Sequence, residues 1–234
     1  MSLYNPSFPP CTVEQFLKFS LEHPRKRQIL SIGQFRPEKN HKLQLTTLRK
    51  LIDSNPNKYD DVVLVMLCLN VKAIAGSCRA EDDEMRLEEL KKLSKELKLE
   101  KNVKFCKNLP WKDLCKELEE SMIGFHTMRD EHFGIVIVEL IAAGLITIAH
   151  KSAGPKYDII QEDSKEPKGF LADNEEDFVI HLKYALDNFE GLKKLRENAR
   201  AHAKTFSDEV FVERFLKIFE SFITRYYKEK KKTA

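Results

Sequence analysis

The sequence predicts an α/β protein: a doubly wound, mostly parallel sheet followed by C-terminal helices. Two observations carry this. Short apolar runs alternate with longer amphipathic stretches along most of the chain, which is the order of a parallel sheet covered by helices. The apolar runs are also closed by turn residues, as at Gly33 and Gly76, where a strand hands over to a loop. The 234 residues are enough for one large domain or two small ones.

In chain order, residues 1–27 read as an irregular lead-in, with prolines at 6, 9, 10 and 24 around one short amphipathic piece, Val13–Leu21. Gln28–Ile32 reads as the first strand and His41–Ile52 as a helix. Val71–Ala75 reads as a strand, and Glu81–Leu99 as a strongly amphipathic helix with acid-before-base pairs such as Glu88 and Lys92. Val103–Cys106 is a strand, Trp111–Glu119 a helix and Ser121–Phe125 a strand. A helix over Phe133–Ala143, a strand over Leu145–Ala149 and a short strand over Gly169–Leu171 follow. Two or three helices close the chain, over His181–Lys204 and Asp208–Tyr227, with the basic tail Lys228–Lys232 at the end. One stretch fits this order poorly. Val62–Leu69 is a second apolar run, separated from Val71–Ala75 only by Asn70, and a single buried strand needs one of them. Three readings stay open for it: an extra edge strand, an extension of the sheet, or a run peculiar to this chain.

Composition narrows the function. Lysine and arginine total 40 against 37 acidic residues, and the signs are interspersed, so the clustered basic face of a nucleic-acid binder is not expected. The basic tail reads first as a solvated end, with contact to an anionic membrane surface as the weaker alternative. The five cysteines, at 11, 68, 78, 106 and 115, show no CxxC spacing and lie mainly in or beside apolar runs. They read as reduced core residues. No metal-ligand spacing stands out. The first residues lack the basic and apolar regions of a signal peptide, and Val62–Leu69 is too short to span a bilayer as a helix. The chain therefore reads as soluble or peripheral.

The stretch with the most chemical content is Glu131-His-Phe-Gly-Ile-Val-Ile-Val-Glu139. A helix starting at Phe133 would present free N–H groups and a positive dipole end to an anion at Phe133–Ile135, with Glu131 beside it. Glu139, eight residues on, would lie about two turns inside on roughly the same side. One carboxylate could then accept from hydroxyls near a phosphate and the other from a more distant diol. Two glutamates so spaced also arise by chance in a chain this rich in charge. Glu139, however, interrupts an otherwise apolar helix, where a carboxylate is either partnered or aimed into a cleft. A second loop, Gly33-Gln34-Phe35-Arg36-Pro37-Glu38-Lys39-Asn40-His41, carries two cations before a helix and suits a pyrophosphate, although a surface loop with ordinary charges is the plainer reading. Neither GxxxxGK[ST] nor GxGxxG occurs, so neither a P-loop NTPase nor a dinucleotide dehydrogenase is supported. In a doubly wound sheet, ligands bind beyond the carboxyl ends of the strands, where these loops fall.

Taken with Gly124-Phe-His-Thr-Met128 and Gly154-Pro155-Lys156-Tyr-Asp158, these motifs resemble the C-terminal half of the retaining GT-B glycosyltransferases. They are most similar to the eukaryotic GDP-mannose-dependent α-1,2-mannosyltransferases of asparagine-linked glycosylation, which extend a dolichol-linked oligosaccharide at the cytosolic face of the endoplasmic reticulum. The resemblance runs from about Pro9 to Asp208. It implies that residues 28–206 form a Rossmann-like nucleotide-sugar-binding domain and 207–234 a C-terminal helix with a basic tail. Glu131 matches the carboxylate near the transferred sugar, Glu139 the one that takes the ribose hydroxyls, and Lys39 the lysine that neutralises the donor diphosphate. The backbone at Phe133, Gly134 and Ile135 matches the helix start that holds phosphate and sugar. Many relatives carry arginine directly after the first glycine; here Gln34 stands there, and Arg36 is the nearest arginine to Gly33. Cys106, in Phe105-Cys106-Lys107-Asn108, falls where relatives hold the nucleobase.

The resemblance further implies a metal-independent mechanism with no cofactor, with GDP-mannose as donor and with Glu131 as a positioner rather than an acid. The acceptor half and the membrane anchor of the family are not in this sequence. The expectation is thus a donor-binding half, inactive alone, whose closing helices expose an apolar patch that a full enzyme buries. Two alternatives stand beside it: a subunit that assembles with a separate acceptor-binding domain, and a non-catalytic α/β interaction module.

Overall fold

The computed structural model describes residues 13–68, 79–162 and 164–232 of the chain. Its centre is a parallel sheet of six strands in the order β3-β2-β1-β4-β5-β6. The strands are β1 (Lys26–Ile32), β2 (Val63–Cys68), β3 (Val103–Lys107), β4 (Ser121–His126), β5 (Ile146–His150) and β6 (Phe170–Ala172). The order turns back at β1, so two neighbouring loops, those after β1 and β4, open side by side at the carboxyl edge of the sheet. That is the crevice in which doubly wound folds bind ligands.

Both faces are covered, which is why the interior strands β1, β2, β4 and β5 are buried along most of their length without alternation. On one face lie α2 (His41–Ser54), α4 (Arg79–Glu96) and α7 (Glu175–Asp187). Leu45, Leu48, Leu87, Phe178 and Leu182 form a core there with Ile29, Leu64 and Phe125 of the sheet. On the other face are α1 (Val13–Phe16), α5 (Trp111–Glu120), α6 (Ile135–Ala142) and α8 (Lys193–Ala203), with Phe16, Leu114, Ile137, Leu140 and Ala199 packed on Leu30, Val65 and Ala149. A short α3 (Pro56–Tyr59) precedes β2. The lead-in is thus stitched to the body, since Val13 and Phe16 are buried.

The second apolar run is resolved by pairing. β2 lies between β1 and β3, with Leu30 opposite Val65 and Leu67 opposite Cys106. Val63–Cys68 is therefore an interior strand, neither an edge strand nor an extension. Val71–Ala75 lies outside the described residues. A second difference concerns the closing helices. The stretch expected as one helix over His181–Lys204 is two, α7 and α8, joined through a 3-10 turn at Glu190–Leu192. Asn188 leaves helical geometry, and Phe189 turns inward to be buried beneath the Arg196 guanidinium, 4.5 Å from its ring.

The far end of α6 is held by three arginines. Arg200 Nε donates to Ala142 O (2.9 Å), Arg25 Nη2 to Ala143 O (2.6 Å) and Arg196 Nε to Gly144 O (2.8 Å). These carbonyls have no intrahelical partner and carry the negative end of the helix dipole, so cations suit them. Burial, and then the neighbouring Arg196 and Arg200, push the Arg25 pKa down to about 9. Arg196 and Arg200 also donate to Leu21 O and Phe19 O, tying α8, the lead-in and α6 together. The last helix, α9 (Asp208–Lys232), stands apart from this packing. Val212, Phe215, Leu216, Ile218, Phe219 and Phe222 are all about half exposed or more, and they recur at helical spacing. Phe211, Phe215 and Phe219 stack along this stripe at about 6 Å centroid spacing. Among the described residues, no helix is long and apolar enough to cross a membrane.

Candidate functional site

The loop after β1 begins at Gly33, whose N–H donates to Leu67 O of β2 at 2.9 Å. Arg36 is extended and leads into a 3-10 turn, Pro37–Lys39, which Asn40 closes in the left-handed region at φ 53°. Asparagine tolerates that conformation better than most side chains. The turn reverses the chain, so Lys39 points back across the sheet edge, its alkyl stem beside Gly33, where a Cβ would lie 3.6 Å from Lys39 Cγ. Thr127, fully buried at the end of β4, secures the corner. Its hydroxyl donates to Lys39 O (2.9 Å) and accepts from Gln44 Nε2 (3.0 Å).

Lys39 meets the loop after β4. Its Nζ is 2.7 Å from Glu131 Oε2 and 3.2 Å from Met128 Sδ. His126, the last residue of β4, brings Nε2 to 3.2 Å from the same Oε2. Among the described residues, no hydrogen bond reaches Glu131 Oε1. The Glu131 side chain is 16 % exposed and that of His126 only 4 %. The His126 hydrogen bond, and then the Lys39 ammonium, draw the Glu131 carboxyl down to about 2, against burial, which would raise it. Burial lowers the pKa of His126. A neutral imidazole facing a carboxylate must carry its proton on Nε2 and donate it. His41, the first residue of α2, is also buried and packs on Phe35 at 5.3 Å. Burial, and then the charges of His126 and Lys39, bring its pKa to about 4.

Helix α6 starts beside Glu131. It begins at Ile135, two residues later than the sequence suggests, because Gly134 adopts φ 98°, a left-handed conformation that helix interiors do not contain. Phe133 is thereby released to pack edge-on against Phe206 at 5.4 Å. The first helical bond runs from Ile137 N to Gly134 O, so the N–H groups of Ile135 and Val136 lie at the positive end of the dipole. Glu139 accordingly sits little more than one turn into the helix, half-buried. The loop after β5 closes on this start. Gly154 N donates to Glu131 O (3.0 Å), and Ser152 Oγ accepts from Asp130 N (2.8 Å). A Cβ on Gly154 would fall 2.3 Å from Phe133 O, so only glycine permits this approach.

The residues singled out from sequence therefore divide. Lys39, Gly33, Glu131, Phe133, Gly134 and Ile135 converge at one end of the crevice. Arg36 lines a shallow cleft with Lys42 of α2 and Arg86 and Glu89 of α4. Cys106 lies on β3, at the sheet edge, roughly 14 Å from β4 by three strand spacings. Burial raises its thiol pKa. His126, Thr127 and Gln44 were not picked out as site residues. For His126 and Thr127 the signal was their place in the Gly124–Met128 motif, at the end of an apolar strand that leads into the Glu131 loop; Gln44 had none. Among the described residues, no cluster of three His, Cys, Asp or Glu side chains could hold a metal ion. The arrangement offers one ionised carboxylate with an accepting oxygen to spare, one ammonium, and the positive end of a helix, which together suit a ligand that is both polyhydroxylated and anionic.

Comparison with known proteins agrees in kind. A family model described as "Glycosyl transferases group 1" matches residues 13–202. A human protein named GDP-Man:Man(3)GlcNAc(2)-PP-Dol alpha-1,2-mannosyltransferase is 39% identical over 218 residues, covering 91% of this chain and 43% of its own length. Proteins of the same name from Xenopus tropicalis and Dictyostelium discoideum are 41% and 38% identical, over 89% and 93% of this chain and 42% of each of theirs. The chain thus spans less than half the length of these curated relatives. Among solved structures, a glycosyltransferase from Rickettsia africae superposes with a TM-score of 0.67 at 20% identity, over 93% of this chain and 53% of that one. A sucrose-phosphate synthase from Thermosynechococcus elongatus superposes with a TM-score of 0.65 at 18% identity, over 93% and 50%. At these identities the structural likeness concerns the fold.

Proposed function

This chain belongs to the group 1 glycosyl transferases, and from that premise we propose that it is the donor-binding half of a GDP-mannose-dependent α-1,2-mannosyltransferase acting on a dolichol-linked oligosaccharide. The observation that carries the reading is the convergence of Lys39, Glu131 and the start of α6. Lys39 and the α6 N–H groups would take the donor diphosphate and stabilise the charge that develops on it as the glycosidic bond breaks. Glu131 would accept from hydroxyls of the mannose and Glu139 from the ribose. The strand end at Cys106 would lie towards the guanine, a spacing that a nucleoside diphosphate sugar can bridge. No metal ion or cofactor is assigned a role in this reading; GDP-mannose is the donor substrate.

Acceptor binding is assigned to a second half, and the proposed location is the cytosolic face of the endoplasmic reticulum membrane. The exposed apolar stripe of α9 supports a covering partner, and nucleic acid is not among the partners proposed. Titration calorimetry of the 234-residue chain with GDP and GDP-mannose tests the donor assignment. Binding is expected, weakened about tenfold or more in Lys39→Ala, the scale of one hydrogen bond between charged groups. No binding at millimolar ligand would overturn it. Transfer activity appearing only on co-expression with a separate acceptor-binding chain would favour the two-subunit reading.

A further inference from the structure

Lys39 is engaged within the protein itself, with its ammonium on Glu131 Oε2 at 2.7 Å. A diphosphate arriving at the start of α6 carries more negative charge than one carboxylate and competes for this cation. Glu131 is largely buried. Without a second partner, losing the ammonium would leave a desolvated, unpaired carboxylate, a costly state that it would escape by taking up a proton. The structure supplies a second partner that does not depend on the ligand. His126 Nε2 lies 3.2 Å from the same Oε2. The residue is 3 % exposed and sits on β4, where His126 pairs with Ala149 of β5. Lys39 reaches Glu131 on a flexible stem from a turn; His126 reaches it from the sheet.

We propose that His126 is a positioning residue of the donor site. Its Nε2–H holds Glu131 Oε2 in place and ionised while the Lys39 ammonium passes from Glu131 to the diphosphate, leaving Oε1 to accept a sugar hydroxyl. This rests on the donor-binding reading above. The groups facing the pair are few. From the turn after β1 comes Lys39, from α2 His41, whose charge interaction with His126 is unfavourable, and from the loop after β4 the Met128 sulfur. Arg129 and Asp130 in that loop are exposed and face each other. His126 therefore serves Glu131 chiefly as a neutral donor, in keeping with the burial that lowers its pKa.

GDP-mannose is the appropriate probe, because both phosphates of its diphosphate diester stay ionised across the pH range of interest. Its affinity for the wild-type chain, measured by calorimetry between pH 5.5 and 7.5, should be nearly flat. In His126→Phe, which has no donor, and His126→Asn, whose shorter amide falls short of Oε2, binding should be about tenfold weaker at pH 7.5. The deficit should shrink to about threefold or less at pH 5.5, with proton uptake on binding. His126→Gln, whose amide can donate, should restore most of the affinity and the flat profile. Adding Glu131→Gln to His126→Asn should abolish the pH dependence. Should His126→Phe fail to fold, the Asn and Gln pair carries the comparison. A deficit equal at every pH, or wild-type affinity in both the Phe and Asn variants, overturns the proposal while leaving donor binding intact. A wild-type chain that does not bind GDP-mannose overturns the donor reading itself.

Discussion

Gly154→Ala should damage stability and donor binding together, because it forces apart two loops that touch backbone to backbone. The added Cβ would lie 2.3 Å from Phe133 O, 2.6 Å from Phe133 Cα and 2.7 Å from His132 O. None of these is the end of a side chain that could swing aside, so one loop must shift by about 1 Å to restore an ordinary contact near 3.4 Å. The shift weakens the bond from Gly154 N to Glu131 O and that from Asp130 N to Ser152 Oγ, each worth about 1 kcal/mol net. Overpacking adds about 1–2 kcal/mol, for a total of about 3 kcal/mol. In a chain of this size that corresponds to a Tm lower by about 6–12 °C. Glu131 and the start of α6 move with the loop, and a displacement of that size at a binding constellation should cost about tenfold or more in GDP-mannose affinity. Thermal denaturation by circular dichroism and calorimetric titration measure the two effects. Gly191→Ala is the control, since a Cβ there meets nothing within 4 Å. A Gly154→Ala chain with the wild-type Tm and affinity would refute the claim that this contact sets the site.

The other expectations concern stability. His41 is protonated below about pH 6.5 when unfolded but only below about 4 when folded, so the unfolded state binds more protons between these values. Stability should therefore fall by about 3 kcal/mol as pH drops from 7 to 4. His41→Phe should flatten the urea-denaturation stability profile over that range, and an unchanged slope would contradict the assignment. Ala153 holds a left-handed φ of 40°, which a β-branched side chain resists. Ala153→Val should lose about 1–2 kcal/mol, read as a lower urea midpoint, and an unchanged midpoint would show that the loop relaxes freely.

Much of the fold was legible because short, mostly apolar strands alternate with amphipathic helices. The strands Gln28–Ile32, Val103–Cys106 and Ser121–Phe125 correspond to β1, β3 and β4 within a residue or two at each end. The place of Val63–Cys68 inside the sheet was not legible, since apolar character does not say which neighbour a strand pairs with. Nor was the late start of α6, because residues 133–143 carry a helical pattern throughout and only the left-handed Gly134, with Phe133 drawn off to Phe206, shortens it. The break between α7 and α8 followed from Phe189 finding a buried place under Arg196, a preference that no local pattern encodes.

The site divides in the same way. By itself the sequence determined which groups stand at the carboxyl edge of the sheet. The carboxylate of Glu131, the cations of the loop after β1 and the glycine before α6 are properties of short segments, and strand-to-helix alternation sends such segments to one edge. Tertiary structure alone decided which of them meet. Lys39 rather than Arg36 reaches Glu131 because a 3-10 turn with a left-handed Asn40 at its end reverses the chain. His126 becomes the second partner of Glu131 because the end of β4 lies beneath the loop it leads into. The first of these pairings joins segments 92 residues apart and the second turns on the direction of a loop, and local sequence carries no record of either.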